Sequence, residues 1–175
     1  MDNKAIAYIA CSVDGYIAGP GNDLSFLEKV QMEGEDYGYG AFLDTVSCLV
    51  MGRNTYDWLV QHADWPYADK EVWVVSNRNM PPKEGVKWYN GPAENLLKQL
   101  KNEQKGNIYC DGGKLIQSLL QAGQIDSLII SVIPILLGQG IPLFGVLSSP
   151  QALHLAGAKS FSTGLVQLHY TISKS

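Results

Sequence analysis

Charge is sparse in this sequence. Lys and Arg number 13 and Asp and Glu 17 in 175 residues, for a net charge of -4. Nucleic acid and anionic membrane both recruit basic surfaces, so neither is expected as a partner, and any anion bound here needs a local site. Cysteine is scarce too: Cys11, Cys48 and Cys110 lie in apolar runs without CxxC spacing. An odd number without a recognisable secretory signal favours reduced, buried thiols, and a cytoplasmic protein is the expectation. The opening run "AIAYIAC" is too short for a signal segment, and Asp14 soon interrupts it. No apolar stretch reaches the length needed to span a bilayer. The histidines, His62, His154 and His169, are scattered and form no metal-ligand pattern. Internal repeats and low-complexity linkers are missing, as are GxGxxG and the P-loop pattern.

What remains is one domain, 1–175, with a hydrophobic content of 46%. Runs rich in Val, Ile, Tyr and Trp recur: "KAIAYIACS", "SCLVMG", "EVWVVSN", "VKWYN", "NIYCDGG" and "SLIISVIPILL". Several are apolar throughout, as strands buried on both faces are. Between them the pattern predicts helices at 36–46, at 54–61, in "PAENLLKQLKNEQ" with proline at its start, and in "KLIQSLLQAG", ended by Gly123. The tail alternates around Ser162-Thr163-Gly164 and reads as a hairpin. The fold class is therefore α/β: an open mixed sheet, mostly parallel, with a C-terminal antiparallel hairpin and helices on both faces.

Ligands of such sheets bind beyond the carboxyl ends of the strands. Three strand ends share one chemistry. "MGRNTY" combines Gly52 and Arg53 with Asn54 and Thr55, both good capping types. "VVSNRN" ends in Ser76, Asn77 and Arg78, and "CDGGKL" places Gly112 and Gly113 directly before a helix. Exposed amides at a helix start favour phosphate, and glycine permits its close approach. Taken singly, each motif also reads as a turn, a cap or a solvated charge.

Together, "VDGYIAG", "LVMGRNTY", "DGGKL" and "PILLGQGIPLF" resemble the dihydrofolate reductase-like superfamily, along nearly the whole chain. The closest branch looks like the reductase domain of the bifunctional riboflavin-biosynthesis deaminase–reductase. The resemblance implies an NADPH-dependent oxidoreductase, with a homodimer as the suggested assembly. Gly52, Arg53, Asn54 and Thr55 match the phosphate-binding join. Ser76, Asn77 and Arg78 match the end that receives the adenosine ribose and its 2′-phosphate. Gly112 and Gly113, followed by Lys114 and Leu115, match a pair that packs on the pyrophosphate, with a cis peptide bond expected between the glycines. Ala10 and the Ile17-Ala18 pair match positions flanking the nicotinamide.

Counting back from "MGR", Asp36 occupies the place of the superfamily's buried carboxylate, where burial would raise its pKa and let it hold a proton. Gly40, one turn on, would leave room for a flat ring. The alternative is that Glu33, Glu35 and Asp36 only supply negative charge near a helix start. Ser131 either faces this pocket or is a satisfied core hydroxyl; Tyr37 and Phe42 either pack near the ring or fill the core. The substrate half departs from both relatives: "DLSFLEKVQMEGEDYGYG" lacks phosphate-binding Arg and His, and lacks a Pro-Trp pair. The expectation is a reductase delivering hydride to a small heterocycle, ribosylaminopyrimidine-like or pterin-like, with dihydrofolate reductase activity as an alternative. A ligand-binding module that has lost catalysis and a plain α/β interaction domain are the rivals from other classes.

Overall fold

The computed structural model describes residues 3–78, 80–103 and 106–173. The strands are β1 (Ala5–Ser12), β2 (Tyr16–Ala18), β3 (Val46–Gly52), β4 (Glu71–Val75), β5 (Val86–Tyr89), β6 (Asn107–Asp111), β7 (Ser127–Ile133), β8 (Ile141–Pro142), β9 (Leu153–Ser160) and β10 (Val166–Ile172). The helices are α1 (Tyr39–Asp44), α2 (Arg53–His62), α3 (Ala93–Glu103) and α4 (Gly113–Gln121), with 3-10 turns at Pro20–Asn22 and Ser25–Val30. The main sheet has eight strands in the order β5-β4-β3-β6-β1-β7-β10-β9. Its first six are parallel, and β9 and β10 form the antiparallel hairpin expected from the tail.

Alternation along β1 divides the core. Ala5, Ala7 and Cys11 face α3 and α4, whereas Ile6 and Tyr8 face the layer containing Phe42 of α1 and Tyr56 of α2. Leu96, Leu97 and Leu100 of α3 recur at helical spacing and are fully buried, as are Ile116 and Leu119 of α4. Each such side chain contributes about 1.5–3 kcal/mol by leaving water. Past the end of α4, Gly123 at φ 64 donates to Leu120 O and Gln124 to Leu119 O, a Schellman stop. All three cysteines are free and buried.

Two expectations need correction. The helix predicted at 36–46 is only Tyr39–Asp44, because Tyr37 at φ 56 and Gly38 at φ 80 leave the right-handed helical region. The small sheet β2-β8 was not expected; two or three residues carry too little periodicity to be read.

The chain passes from β1 across β6 to β3, β4 and β5, then returns through β6 and crosses β1 to β7. That reversal is a switch point, and it opens a crevice at the carboxyl ends of the parallel strands.

Candidate active site

Two of the strand-end motifs meet there. In the parallel register Met51 lies beside Asp111, so the β3–α2 and β6–α4 corners leave the sheet at one level. Gly52 is the N-cap of α2, and Arg53 already begins the helix; Asn54 and Thr55 are first-turn residues, not caps as the motif suggested. Gly112 is the N-cap of α4 at φ 107. A Cβ on Gly112 would lie 2.7 Å from Thr55 Oγ1 and 3.5 Å from Gly52 N. Glycine is required at that crossing for both backbone and space. The expected cis peptide is absent: all peptides among the described residues are trans, and the positive φ of Gly112 makes the turn instead. Lys114 is exposed, and Leu115 is buried in the core beneath the corner.

The third motif is adjacent, since Gly52 pairs with Val75 at the end of β4. The Ser76 amide donates to Tyr89 O (2.9 Å) and the Arg78 amide to Ser76 Oγ (3.2 Å); the side chains of Asn77 and Arg78 are exposed. Arg53 binds Asp57 through Nε at 2.7 Å, while its buried Nη1 has no partner. A buried guanidinium nitrogen without an acceptor costs free energy until an anion meets it. The first-turn amides of α2 and α4, which begin at these neighbouring strand ends, have no acceptor within their helices. The donor set therefore suits a phosphorylated ligand.

Over this corner sits the β2-β8 sheet. Ile17 Cδ1 would lie only 2.5 Å from a Cβ on Gly113, and Ala18 is buried against Ile141. Asp14 fastens the sheet's return loop. Its carboxylate accepts from Ser12 Oγ (2.6 Å), Leu137 N (3.1 Å) and Gly138 N (2.7 Å). The Ser12 hydroxyl first, then the Gly138 and Leu137 amides, hold its pKa below the usual range.

Beside the corner, on the face of α1, lies a cleft of about 680 Å³. Ala10 and Ser131, paired across β1 and β7, form its floor with Ile133. Leu27, Val30, Tyr37, Tyr39 and Leu165 line it, and Glu33, Glu35 and Asp36 stand at its acidic side. Ser131 is 5% exposed, lines this space and is also satisfied by Gln167 Nε2, so its position fits both readings of its hydroxyl. Gln167 Nε2 reaches Ser131 Oγ (3.1 Å), Tyr8 Oη (2.8 Å) and Tyr37 O (3.1 Å), and His169 Nε2 meets Gln167 Oε1 at 3.0 Å. Burial raises the pKa of Tyr8, so it stays a neutral hydroxyl in this network.

Asp36 is not the buried acid expected. It is exposed, and the amides of Gly40 and Gly38, at 3.0 and 2.8 Å, hold its pKa down. It caps α1, in agreement with the alternative reading of the acidic run. Gly40 does not line the cleft; a Cβ there would lie 3.0 Å from Asp36 Oδ2, so its small size admits the carboxylate instead of a ring. Tyr37 lines the cleft but is anchored: its hydroxyl donates to Val30 O and lies 2.9 Å from Thr163 Oγ1. Phe42 is a core residue.

Sequence reasoning passed over two polar residues. Gln167, in the terminal hairpin, faces inward and is 6% exposed. Asp111 ends β6 beside the glycine pair, and desolvation pushes its carboxyl up to about 6. The available signal was a carboxylate directly after the apolar run "IYC", two residues from Tyr109 and so on the same sheet face.

Comparison with known proteins agrees with this geometry. The RibD C-terminal domain model matches residues 3–167. The uncharacterized protein YwjB of Bacillus subtilis is 38% identical over 173 residues, covering 97% of this chain and 98% of that one. A putative riboflavin biosynthesis protein from Shewanella sp. PV-4 superposes with a TM-score of 0.90 at 36% identity, over 99% of this chain and 100% of that one. Dihydrofolate reductase from Enterococcus faecalis, solved with NADP(H), shares the fold at a TM-score of 0.68 and 16% identity, with 99% of each chain covered. By fold and by family model, this chain belongs to the RibD C-terminal domain family.

Proposed function

We propose that this chain is an NADPH-dependent reductase that transfers hydride to a flat nitrogen heterocycle, ribosylaminopyrimidine-like or pterin-like, bound in the cleft. The observation that carries the reading is the meeting of the two glycine corners, with Gly112 unable to accept a Cβ beside Thr55, next to a cleft floored by Ala10. NADPH supplies the hydride. The chain's residues bind and orient. Helix-start amides of α2 and α4 and the free Arg53 Nη1 hold phosphates, while Ser76, Asn77 and Arg78 meet the adenosine end. Ile17 covers Gly113, Ala18 is buried beside Ile141, and Ala10 leaves room for a ring to lie flat against β1. Ser131, positioned by Gln167, offers a hydroxyl to the substrate. Asp36, its carboxylate held by the Gly38 and Gly40 amides, adds negative charge at the acidic side of the cleft. A homodimer belongs to the same reading: Leu153, Leu155 and Val166 on the hairpin are exposed apolar surface that a second copy would cover.

Titration of tryptophan fluorescence with NADPH and then NADH tests the cofactor assignment. NADPH should bind at least about tenfold tighter, a difference of about 1.4 kcal/mol, and Arg53→Ala should weaken it. Equal affinity for both would remove the 2′-phosphate role of Arg53 and Arg78.

A further inference from the structure

We propose that the heterocycle accepted by this cleft is neutral or cationic and carries no phosphate or carboxylate tail. This rests on the assignment of the cleft as the substrate site and goes further, to the charge of the substrate. The lining residues include Glu33, Glu35 and Asp36 and contain no Lys, Arg or His. Among the described residues, none of the three carboxylates is paired with a cation; the ion pairs are Arg53–Asp57, Lys70–Asp69, Lys87–Glu71 and Lys101–Asp126. Lys159, on the strand leading to Phe161, is engaged over that ring at 4.6 Å.

A phosphate carries close to two negative charges at neutral pH and is held by Arg, Lys or free helix-start amides. The cleft has one helix start, that of α1, and it is already plugged: Asp36 accepts from Gly38 N at 2.8 Å and Gly40 N at 3.0 Å. Glu35 is fixed nearby by the Tyr37 amide at 2.7 Å. An anionic tail entering here would meet fixed negative charge and no cationic side chain to hold it. The floor has the opposite character. Ala10, Ile133 and Leu165 offer an apolar surface to a ring, and the Ser131–Gln167 pair supplies polar contacts for ring nitrogens or carbonyls. The free phosphate-binding amides of the molecule lie at the glycine corners, where the cofactor is assigned.

The experiment compares matched pairs by calorimetry, with and without saturating NADPH. One pair is a ribosylaminopyrimidine and its 5′-phosphate; the other is dihydrofolate and its uncharged diamide, in which both glutamyl carboxylates are amidated. The member without the tail charge should bind at least about tenfold tighter in one or both pairs. Added KCl, and the double variant Glu33→Gln/Glu35→Gln, should each narrow that ratio, because screening and charge removal act on the same repulsion. Equal or tighter binding of both charged members overturns the proposal, as does a ratio unmoved by salt and by the variant. Failure of all four compounds to bind overturns it too. Failure of NADPH alone to bind sinks the cofactor assignment, while the ratios measured without cofactor still decide the charge of the ligand.

Discussion

Gly112→Ala tests the meeting of the two corners. Two costs are separable. At φ 107 an alanine backbone is strained, by about 1–2 kcal/mol. Its Cβ would also stand 2.7 Å from Thr55 Oγ1, nearer than packed atoms tolerate, and relieving such overpacking costs about 1–3 kcal/mol. Together these take about 2–5 kcal/mol from a domain whose total stability is typically about 5–15 kcal/mol. Thr55→Ala removes the obstructing oxygen. The nearest remaining neighbours of the new Cβ are then Gly52 N at 3.5 Å and Thr55 Cβ at 3.7 Å, which are ordinary contacts. Urea unfolding of the parent, both single variants and the double variant should therefore yield a coupling of about 1–3 kcal/mol, with the backbone cost left unrelieved. NADPH titrations should follow the same order, Gly112→Ala being the weaker binder in the Thr55 background. An identical penalty in both backgrounds would mean that the corners do not touch as described. No penalty in either would refute the glycine argument entirely.

Asp111→Asn should change stability in a pH-dependent way. Its carboxyl titrates at about 6 in the folded chain, against about 3.9 unfolded. The folded state therefore binds more protons between those values, and stability falls as pH rises from about 4 to about 6. Removing the charge should be nearly neutral at about pH 4 and stabilising by up to about 3 kcal/mol above about pH 7, measured by urea unfolding at both; a pH-independent effect would contradict the burial of this carboxyl. Asp36→Asn should keep one of the two capping bonds and bind NADPH and turn over like the parent, whereas Asp36→Ala should lose both bonds and lower the melting temperature further. Lost turnover in Asp36→Asn at an unchanged melting temperature would give Asp36 a role beyond the cap.

The framework was legible because apolar runs of five to eight residues report buried strands, as in Val46–Gly52 and Ser127–Ile133, without knowledge of their neighbours. The leucines of α3 and the Gly123 stop of α4 are likewise local signals. The acidic segment before α1 was not legible, because its conformation is set from a distance. Tyr37 adopts a left-handed backbone while its carbonyl accepts from Tyr8 Oη (3.1 Å) and Gln167 Nε2 (3.1 Å), partners elsewhere in the sequence. That tertiary hold shortens α1 and leaves Asp36 at the surface. Gln167 was hidden for a related reason: alternation in β10 identifies an inward position, but not that Ser131 and Tyr8 wait across it. The β2-β8 pairing depends on Gly140, where a Cβ would lie 2.1 Å from Ala18 O, a contact visible only in three dimensions.

The most direct test of the central claim is a crystal structure of the protein with NADPH bound. The account predicts phosphates at the first turns of α2 and α4 with Arg53 turned toward one of them, adenosine beside Ser76-Asn77-Arg78, and the nicotinamide against Ala10 at the cleft floor. A dinucleotide bound away from the Gly52 and Gly112 corners, or a corner left empty at saturating NADPH, would contradict it.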